Sequence, residues 1–317
     1  STTQVRTRIA YAYDLRVFFH FLIDENPAYR NYSVLDFKVS DLDKIESVDL
    51  EEYMEYLKVY KREDNEMITN SERGLKRKMS ALRSFYSYYF KHQYIATNPT
   101  LLVDMPKLHD KAIIRLDIDE VAMLLDYVES AGEHLTGQAL AYYQKTKNRD
   151  LAILTLLLGT GIRVSECVGL NLTDVDFKNN GITVTRKGGS QMVVYFGEEV
   201  EKALRNYLET YRKAVTPLAG YENALFLSTQ RRRIGVQAVE NMVKKYASQI
   251  TNKRITPHKL RSTYGTALYK ETGDIYLVAD VLGHKDVNTT KKHYAALEDE
   301  RRRTAAKYVR LREKRED

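Results

Sequence analysis

The sequence predicts a mainly α-helical protein of two domains, the second of which contains a small antiparallel β-sheet. The length of 317 residues is too great for one ordinary hydrophobic core and suits two domains. Through most of the chain, apolar residues recur at helical spacing. Residues 175–196 differ, because short runs rich in β-branched and aromatic residues are separated there by hairpin turn sequences.

The first domain is predicted to be all-helical, since residues 11–22 and 45–60 both carry apolar side chains at helical spacing. Its most informative helix is the segment "SERGLKRKMSALRSFYSYYFKH" at residues 71–92. At about 100° per residue its apolar side chains fall on one stripe, which predicts a face packed on a core. The stripe consists of Leu75, Met79, Leu82, Tyr86 and Tyr89.

The opposite side of this helix, called the basic face below, carries cations interleaved with serines. The small serine side chains allow a phosphate backbone to come close, so we predict that this face binds DNA. A basic face that is only solvated is the alternative interpretation. The predicted DNA-binding residues are Arg73, Lys76, Arg77, Ser80 and Arg83.

The boundary between the domains falls in a segment with little periodicity. Residues 97–116 contain Pro99 and Pro106, which interrupt helices, and we interpret this segment as a linker. The predicted domains are therefore residues 1–107 and residues 108–317.

The second domain is predicted to begin with a helix that Asp117 caps, with Glu120 three residues later. The longest apolar run, residues 151–159, is far short of the ~20 residues that a membrane span needs, so we interpret it as a buried helix. A small sheet follows. Its predicted strands are the runs "VDF", "ITVTRK" and "QMVVYF", separated by the turn sequences Asn179-Asn180-Gly181 and Gly188-Gly189-Ser190.

Composition favours a polyanionic partner. The formal net charge is +7 and the pI is about 9.1. The single cysteine, Cys167, excludes an intramolecular disulfide framework and is compatible with a reducing cytoplasm. We expect a cytoplasmic protein without membrane association. Because the chain begins with Ser1 rather than methionine, one interpretation is that it is a trimmed piece of a longer protein.

Three sequence boxes contain polar residues that a plain core does not need. The first, "GTGIRVSECVGL" at residues 159–170, places Arg163 at the predicted start of a helix. A guanidinium beside an apolar helix needs an anionic partner. A salt bridge to Glu166, which shares a helical face with Arg163, is the purely structural interpretation.

The second box, "TPHKLRSTYGTAL" at residues 256–268, projects His258 and Arg261 from one helical face, with Pro257 in the first turn. Two cations side by side repel each other. A shared phosphate removes this conflict, because arginine donates two hydrogen bonds to it while histidine handles a proton. A solvated surface pair is the alternative.

The third box, "VADVLGHKDVNTTKKHY" at residues 278–294, ends a helix at Gly283 and leaves His284 on a loop. Asn288 or Thr289 is predicted to cap the next short helix, which carries Tyr294.

Histidines near these boxes do not predict a metal site. His258, His284 and His293 lack the tight ligand spacing of zinc sites. His293 and its neighbour Tyr294 do not form a base and nucleophile pair either, because successive helical residues point about 100° apart.

Taken together, "TGIRVSE", "HKLRSTYGTAL" and "LGHKDVNTTKKHY" resemble the conserved boxes of the tyrosine recombinases. This family includes phage integrases, chromosome-dimer resolvases and conjugative-transposon integrases. The resemblance covers residues 110–297 for the catalytic domain. More loosely, residues 1–107 are similar to the family's helical, SAM-like core-site DNA-binding domain. The chain looks most like the integrases of conjugative transposons of Gram-positive bacteria.

The resemblance implies six catalytic residues. By position, four of them surround the scissile phosphate and a tyrosine attacks it: Arg163, His258, Arg261 and His284, with Tyr294 as the nucleophile. The family's catalytic lysine lies at a β-hairpin turn, where Lys187 is the candidate and Arg186 is the competing choice.

These implied roles fit the chemistry of phosphoryl transfer. Two fixed arginines stabilise the charge that spreads over the equatorial phosphate oxygens, without a metal ion. A phenol has a pKa of ~10 and needs a base, for which His258 is suitable. Lys187 supplies a proton to the leaving 5′ oxygen, and His284 bonds a phosphate oxygen. A phosphotyrosyl bond conserves the phosphodiester energy, so neither ATP nor another cofactor is expected.

The resemblance therefore implies a site-specific recombinase that integrates and excises a mobile element. Its expected partner is double-stranded DNA, on which it acts as a dimer at one site and a tetramer in synapsis. An accessory DNA-bending or directionality protein and a location at the bacterial nucleoid are also expected. Two alternatives remain: a type IB topoisomerase, and a non-enzymatic helical DNA-binding regulator that uses only the basic face.

Overall fold

The computed structural model describes residues 5–62, 65–109, 113–186, 188–284, 287 and 290. The chain forms two compact units, Ser1–Lys111 and Ala112–Asp317.

Within its described residues, the first unit consists of three α-helices and one hairpin around an aromatic core. The buried side chains at its centre include Phe18, Leu22, Tyr53 and Tyr86. Its helices are α1 (Val5–Glu25), α2 (Ser47–Tyr56) and α3 (Glu72–Lys91), and its strands are β1 (Val59–Lys61) and β2 (Met67–Thr69). Short 3₁₀ helices occupy Pro27–Tyr29, Val39–Lys44 and Pro99–Leu101.

The predicted apolar stripe of α3 is confirmed. Four of its members are buried and the fifth packs against them: Leu75, Met79, Leu82 and Tyr86, with Tyr89. The stripe anchors α3 because burial of apolar surface is the main favourable contribution to packing such a helix.

The prediction that the first domain is all-helical is wrong in one detail. Strands β1 and β2 pair antiparallel, with Val59 opposite Thr69 and Lys61 opposite Met67. Each strand has only three residues. Strand β1 overlaps the end of the segment 45–60 that has helical spacing. Three residues are too few for an alternating pattern to distinguish a strand from the end of a helix.

The second unit contains seven helices and a three-stranded sheet within the described residues. The helices are α4 (Ile118–Ser130), α5 (Gly137–Thr160), α6 (Val164–Gly169), α7 (Glu198–Tyr207), α8 (Val236–Ala247), α9 (Pro257–Thr272) and α10 (Ile275–Leu282). The strands are β3 (Val175–Asp176), β4 (Gly181–Thr185) and β5 (Gln191–Tyr195). Short 3₁₀ helices occupy Ala131–His134 and Leu172–Asp174, and a π-helical turn at Leu208–Arg212 continues α7.

Helix α5 lies at the centre of the second unit and packs against α4, α7 and α9. The apolar run that predicted a buried helix forms its carboxyl half, and residues 151–157 are buried. In the described part of the chain, no helix has the length and apolar character that crossing a membrane requires.

The predicted hairpins are confirmed as an antiparallel sheet in the order β3, β4, β5. Ile182 and Val194 face each other across β4 and β5 and are both buried, so this pair fixes the register against the core. Gly188 and Gly189 both have positive φ, 106° and 88°, in the turn that joins these strands.

Candidate active site

Arginines from separate sequence boxes meet at the carboxyl end of α10. Arg261, in the first turns of α9, donates from Nη1 to the carbonyl oxygen of Gly161 at 2.5 Å and from Nη2 to that of Leu282. Arg163 donates from Nη2 to the carbonyl oxygen of Gly283 at 3.4 Å. The fold therefore brings together residues that lie up to 120 positions apart.

Glycine 161 ends α5 and starts the turn that presents Arg163. Its φ of 62° is the left-handed conformation that favours glycine, and its N–H donates to Leu157 at 3.1 Å. Arg163 then lies at the N-cap of α6, as the sequence predicted.

The salt bridge considered for Arg163 is present. Its Nη1 donates to Glu166 Oε1 at 2.8 Å, and its main-chain N–H donates to Oε2 of the same carboxylate at 2.8 Å. The Glu166 side chain is only 3% exposed, whereas that of Arg163 is 37% exposed. Glu166 therefore holds the arginine from the buried side and leaves part of the guanidinium accessible.

A third arginine, Arg186, reaches the same helix end from the hairpin. It donates from Nη1 to Leu282 at 2.9 Å and from Nη2 to Val281 at 2.9 Å, both through main-chain carbonyl oxygens. Its Nη1 also lies 3.7 Å from Glu166 Oε1. Sequence reasoning named Arg186 only as a competitor for the catalytic lysine. Lys187 itself lies outside the described residues.

His258 occupies the first turn of α9 and is an exposed residue, one turn before the buried Arg261. Partial burial of its ring lowers the pKa of His258 from its usual value, and the positive charges of Lys259, Arg261 and Arg163 lower it further. The ring is therefore neutral at pH 7 and able to accept a proton.

Gly283 ends α10 in the left-handed conformation, with φ 59°, as predicted. His284 follows on the loop, and its Nδ1 lies 2.7 Å from Oγ1 of the fully buried Thr290, which fixes the orientation of the ring. Val287, directly before the two predicted cap residues, is helical. Those residues, Asn288 and Thr289, and the predicted nucleophile Tyr294 lie outside the described residues.

In the first unit, one residue of the predicted basic face has a structural partner that sequence reasoning missed. Arg77 forms an ion pair with Asp14 of α1, whose side chain is 2% exposed. Lys78 also approaches Asp14, at 3.3 Å. The available signal was position, because Asp14 lies four residues before the core residue Phe18, on the same stripe of α1.

Two further members of the basic face also bond within the protein. Arg83 donates from Nη2 to the carbonyl oxygen of Val103 at 2.6 Å, and Ser80 Oγ donates to that of Lys76 at 2.7 Å. Arg73 is exposed, and no ion pair of Arg73 or Lys76 is seen within the described residues. These two cations are the members of the face whose charge is best placed for an external anion.

In the described part of the chain, no group of three or more His, Cys, Asp or Glu residues has an arrangement that could hold a metal ion. One of the three histidines considered from sequence, His293, lies outside the described residues.

Comparison with known proteins identifies the family. Residues 115–301 match the model of the phage integrase family. The tyrosine recombinase XerC of Caldanaerobacter subterraneus subsp. tengcongensis is 36% identical over 309 residues, which cover 93% of this chain and 79% of the relative. The tyrosine recombinase XerS of Streptococcus mutans serotype c is 32% identical over 317 residues, covering 93% and 88%.

The fold agrees with a solved structure of the same kind. The Tn1549 transposon integrase in complex with transposon right end DNA superposes with a TM-score of 0.68 at 20% sequence identity, over 96% of this chain and 95% of that chain. At this identity the likeness shows the fold. With the family match and the two relatives, it leads to one conclusion. The chain belongs to the phage integrase family of tyrosine recombinases, enzymes that recombine DNA at specific sites by cleaving and religating its strands.

Proposed function

We propose that this recombinase cleaves DNA with Tyr294 as nucleophile and with a fixed set of cations around the scissile phosphate. The observation that carries the proposal is the meeting of Arg163 and Arg261 at the end of α10, directly beside the loop of His284. Tyr294 enters the scheme through its position in the third sequence box, and Lys187 through its position at the hairpin turn.

The electrostatics of this helix end support the proposal. The carboxyl end of a helix carries a partial negative charge and attracts cations. Arg163 and Arg261 donate there to the neutral carbonyl oxygens of Gly283 and Leu282. A phosphate diester is a stronger acceptor for a guanidinium, because it carries a full negative charge and can accept two parallel N–H bonds. The scissile phosphate therefore competes for guanidiniums that the protein has already gathered.

The proposed reaction balances without a high-energy cofactor. The phenolic oxygen of Tyr294 forms a bond to phosphorus while His258 accepts the phenolic proton. The bond between phosphorus and the 5′ oxygen breaks, and the Lys187 ammonium gives a proton to that oxygen. His284 donates to a non-bridging oxygen. Attack of a 5′ hydroxyl on the 3′-phosphotyrosyl bond reverses these steps and rejoins the strand.

The domain roles and partners are part of the same proposal. Residues 1–107 bind the core site and residues 108–317 carry the chemistry, with Arg73 and Lys76 as the principal phosphate contacts of the basic face. The likeness to a transposon integrase bound to DNA supports integration and excision of a mobile element. We further propose a dimer on one site, a tetramer in synapsis, an accessory DNA-bending or directionality protein, and action at the bacterial nucleoid.

A covalent trapping experiment tests the chemistry. Duplexes that carry candidate sites are nicked close to the cleavage point, so that the released fragment diffuses away and the adduct accumulates. We expect a denaturant-resistant complex whose labelled peptide contains Tyr294. Tyr294→Phe keeps the ring and should retain DNA binding and thermal stability while adduct formation disappears.

A matched control is Tyr276→Phe, which removes an exposed phenol from α10 and should trap DNA normally. An adduct formed by Tyr294→Phe, or mapped to Tyr264 or Tyr308, would show that the nucleophile is another tyrosine. Substrates with two sites separate the alternatives, since a topoisomerase relaxes DNA without recombinant products. A DNA-binding regulator forms no adduct at all.

A further inference from the structure

Arg186 joins the β4–β5 hairpin to the last turn of α10 through its side chain. Its guanidinium donates to the carbonyl oxygens of Val281 and Leu282, each at 2.9 Å. The side chain is only 9% exposed. A planar guanidinium can span two successive carbonyls in a fixed geometry, which a lysine ammonium cannot reproduce.

The surroundings of Arg186 are shaped to admit this contact. A Cβ atom on Gly283 would lie 2.5 Å from Arg186 Nη1, so the guanidinium occupies space that any side chain at residue 283 would fill. Arg186 Nη2 also contacts the Met192 sulfur at 2.7 Å on β5. Glu166 lies 3.7 Å away and supplies a counter-charge.

The main chain of Arg186 closes the turn between β4 and β5. Its N–H donates to the carbonyl oxygen of Ser190 at 2.7 Å, and its own carbonyl accepts from the N–H of Gly189 at 3.0 Å. Two successive glycines give such a turn little stiffness of its own. The side chain of Arg186 therefore provides an anchor that the glycines of the turn do not.

We propose that Arg186 is a positioning residue, which holds the turn that contains Lys187 against the end of α10 where Arg163 and Arg261 meet. This inference rests on the proposed function, because it gives a task to Lys187 as the proton donor. Loss of the anchor leaves Lys187 present but misplaced, and a proton donor acts only when it lies within hydrogen-bonding reach of the leaving oxygen.

The test compares two substrates with Arg186→Lys, which keeps the charge and loses the two-carbonyl geometry. One substrate is the ordinary nicked duplex. The other has sulfur in place of the bridging 5′ oxygen, and a thiolate leaves without needing a proton. We expect Arg186→Lys to form the adduct with the ordinary duplex roughly tenfold or more slowly than the unaltered chain. With the sulfur substrate we expect a rate close to that of the unaltered chain.

Two further variants make the outcome specific. Lys187→Ala should show the same rescue by sulfur, because it removes the proton donor itself. Arg233→Lys is the matched structural control, since Arg233 donates to the carbonyl oxygens of Val168 and Leu170 at 3.0 and 2.6 Å at another helix end. Any fall in the rate of adduct formation caused by Arg233→Lys should be the same on both substrates.

The possible results are distinguishable. If Lys187→Ala is rescued and Arg186→Lys is slowed equally on both substrates, or not slowed on either, the positioning role is overturned while the proposed chemistry stands. If the unaltered chain forms no adduct, or Lys187→Ala is not rescued, the proposed function fails in the step concerned and the role of Arg186 fails with it. DNA binding and thermal melting of each variant, measured in parallel, show whether it is folded.

Discussion

Arg163 and Glu166 form a two-point contact within a single helical turn. The carboxylate accepts from the Arg163 guanidinium and from its main-chain N–H, both at 2.8 Å. It also lies 3.7 Å from Arg186, so one buried negative charge serves two of the three arginines at the end of α10. The charge balance of the candidate active site in the absence of DNA therefore depends on Glu166.

Replacing Glu166 with Gln should destabilise the protein. The amide keeps the size and one acceptor but removes the negative charge that faces both arginines. We expect the free energy of unfolding to fall by about 2–3 kcal/mol, less than for a fully buried pair because Arg163 is partly exposed. Urea denaturation measures the change. Glu201→Gln, which removes the charge of a partly exposed partner of Arg205, is the control and should cost less than about 0.5 kcal/mol. Equal losses for the two variants would contradict the prediction.

Adduct formation should lose rate in acid at a pH set by His258. Partial burial and neighbouring cations lower the pKa of His258, so its neutral, proton-accepting form persists below the usual pKa of histidine. The second-order rate constant for adduct formation, measured from about pH 5 to about pH 8, should therefore stay level through neutrality and fall as the pH drops through this lowered pKa.

Lys259→Ala provides the comparison for this pH profile. It removes one of the charges that lower the pKa of His258, so the acidic fall should move to higher pH. His258→Gln should abolish the acidic fall in the rate of adduct formation. An acidic fall that stays in place in both variants would assign the titration to another group.

The contribution of the basic face should reside in Arg73 and Lys76. The double alanine variant should bind DNA with a weaker salt dependence. The slope of the logarithm of the DNA-binding constant against the logarithm of the salt concentration should fall in magnitude by about 1–2, because each phosphate contact releases close to one counterion. Lys44→Ala with Lys58→Ala removes the same charge from the same unit, but these two exposed lysines are each paired with a carboxylate of the protein. This control should leave the slope unchanged. Equal slopes for both double variants and the unaltered chain would remove the basic face from the DNA interface.

Cys167 should be inert while the protein is folded. The residue is fully buried in the core of the second unit, and burial raises the pKa of its thiol to about 12. Since the thiolate is the reactive form, iodoacetamide at neutral pH should not label the native chain. Mass spectrometry should show complete labelling once guanidinium unfolds it. Rapid labelling without denaturant would mean that this part of the core opens readily.

The sequence by itself determined the helices, the hairpins of the second unit and the three boxes. Helical periodicity, turn chemistry and capping residues are local, so the stripe of α3, the sheet at residues 175–196 and the glycine that ends α10 were all predictable from neighbouring positions. The candidate site residues also came from local spacing, together with resemblance to a family whose membership the comparisons show.

Only the tertiary structure decided which side chains hold each other. Asp14 and Arg77 lie 63 positions apart, and Arg186 and Leu282 lie 96 positions apart. No local pattern relates such pairs, because their contact depends on how separate helices and strands pack. For the same reason a three-residue strand escaped prediction, since β1 exists only through its pairing with β2. Long-range packing thus places Arg77 and Arg83 in contacts within the protein, with Asp14 and with the carbonyl oxygen of Val103. It also makes Arg186 the link between the hairpin and α10.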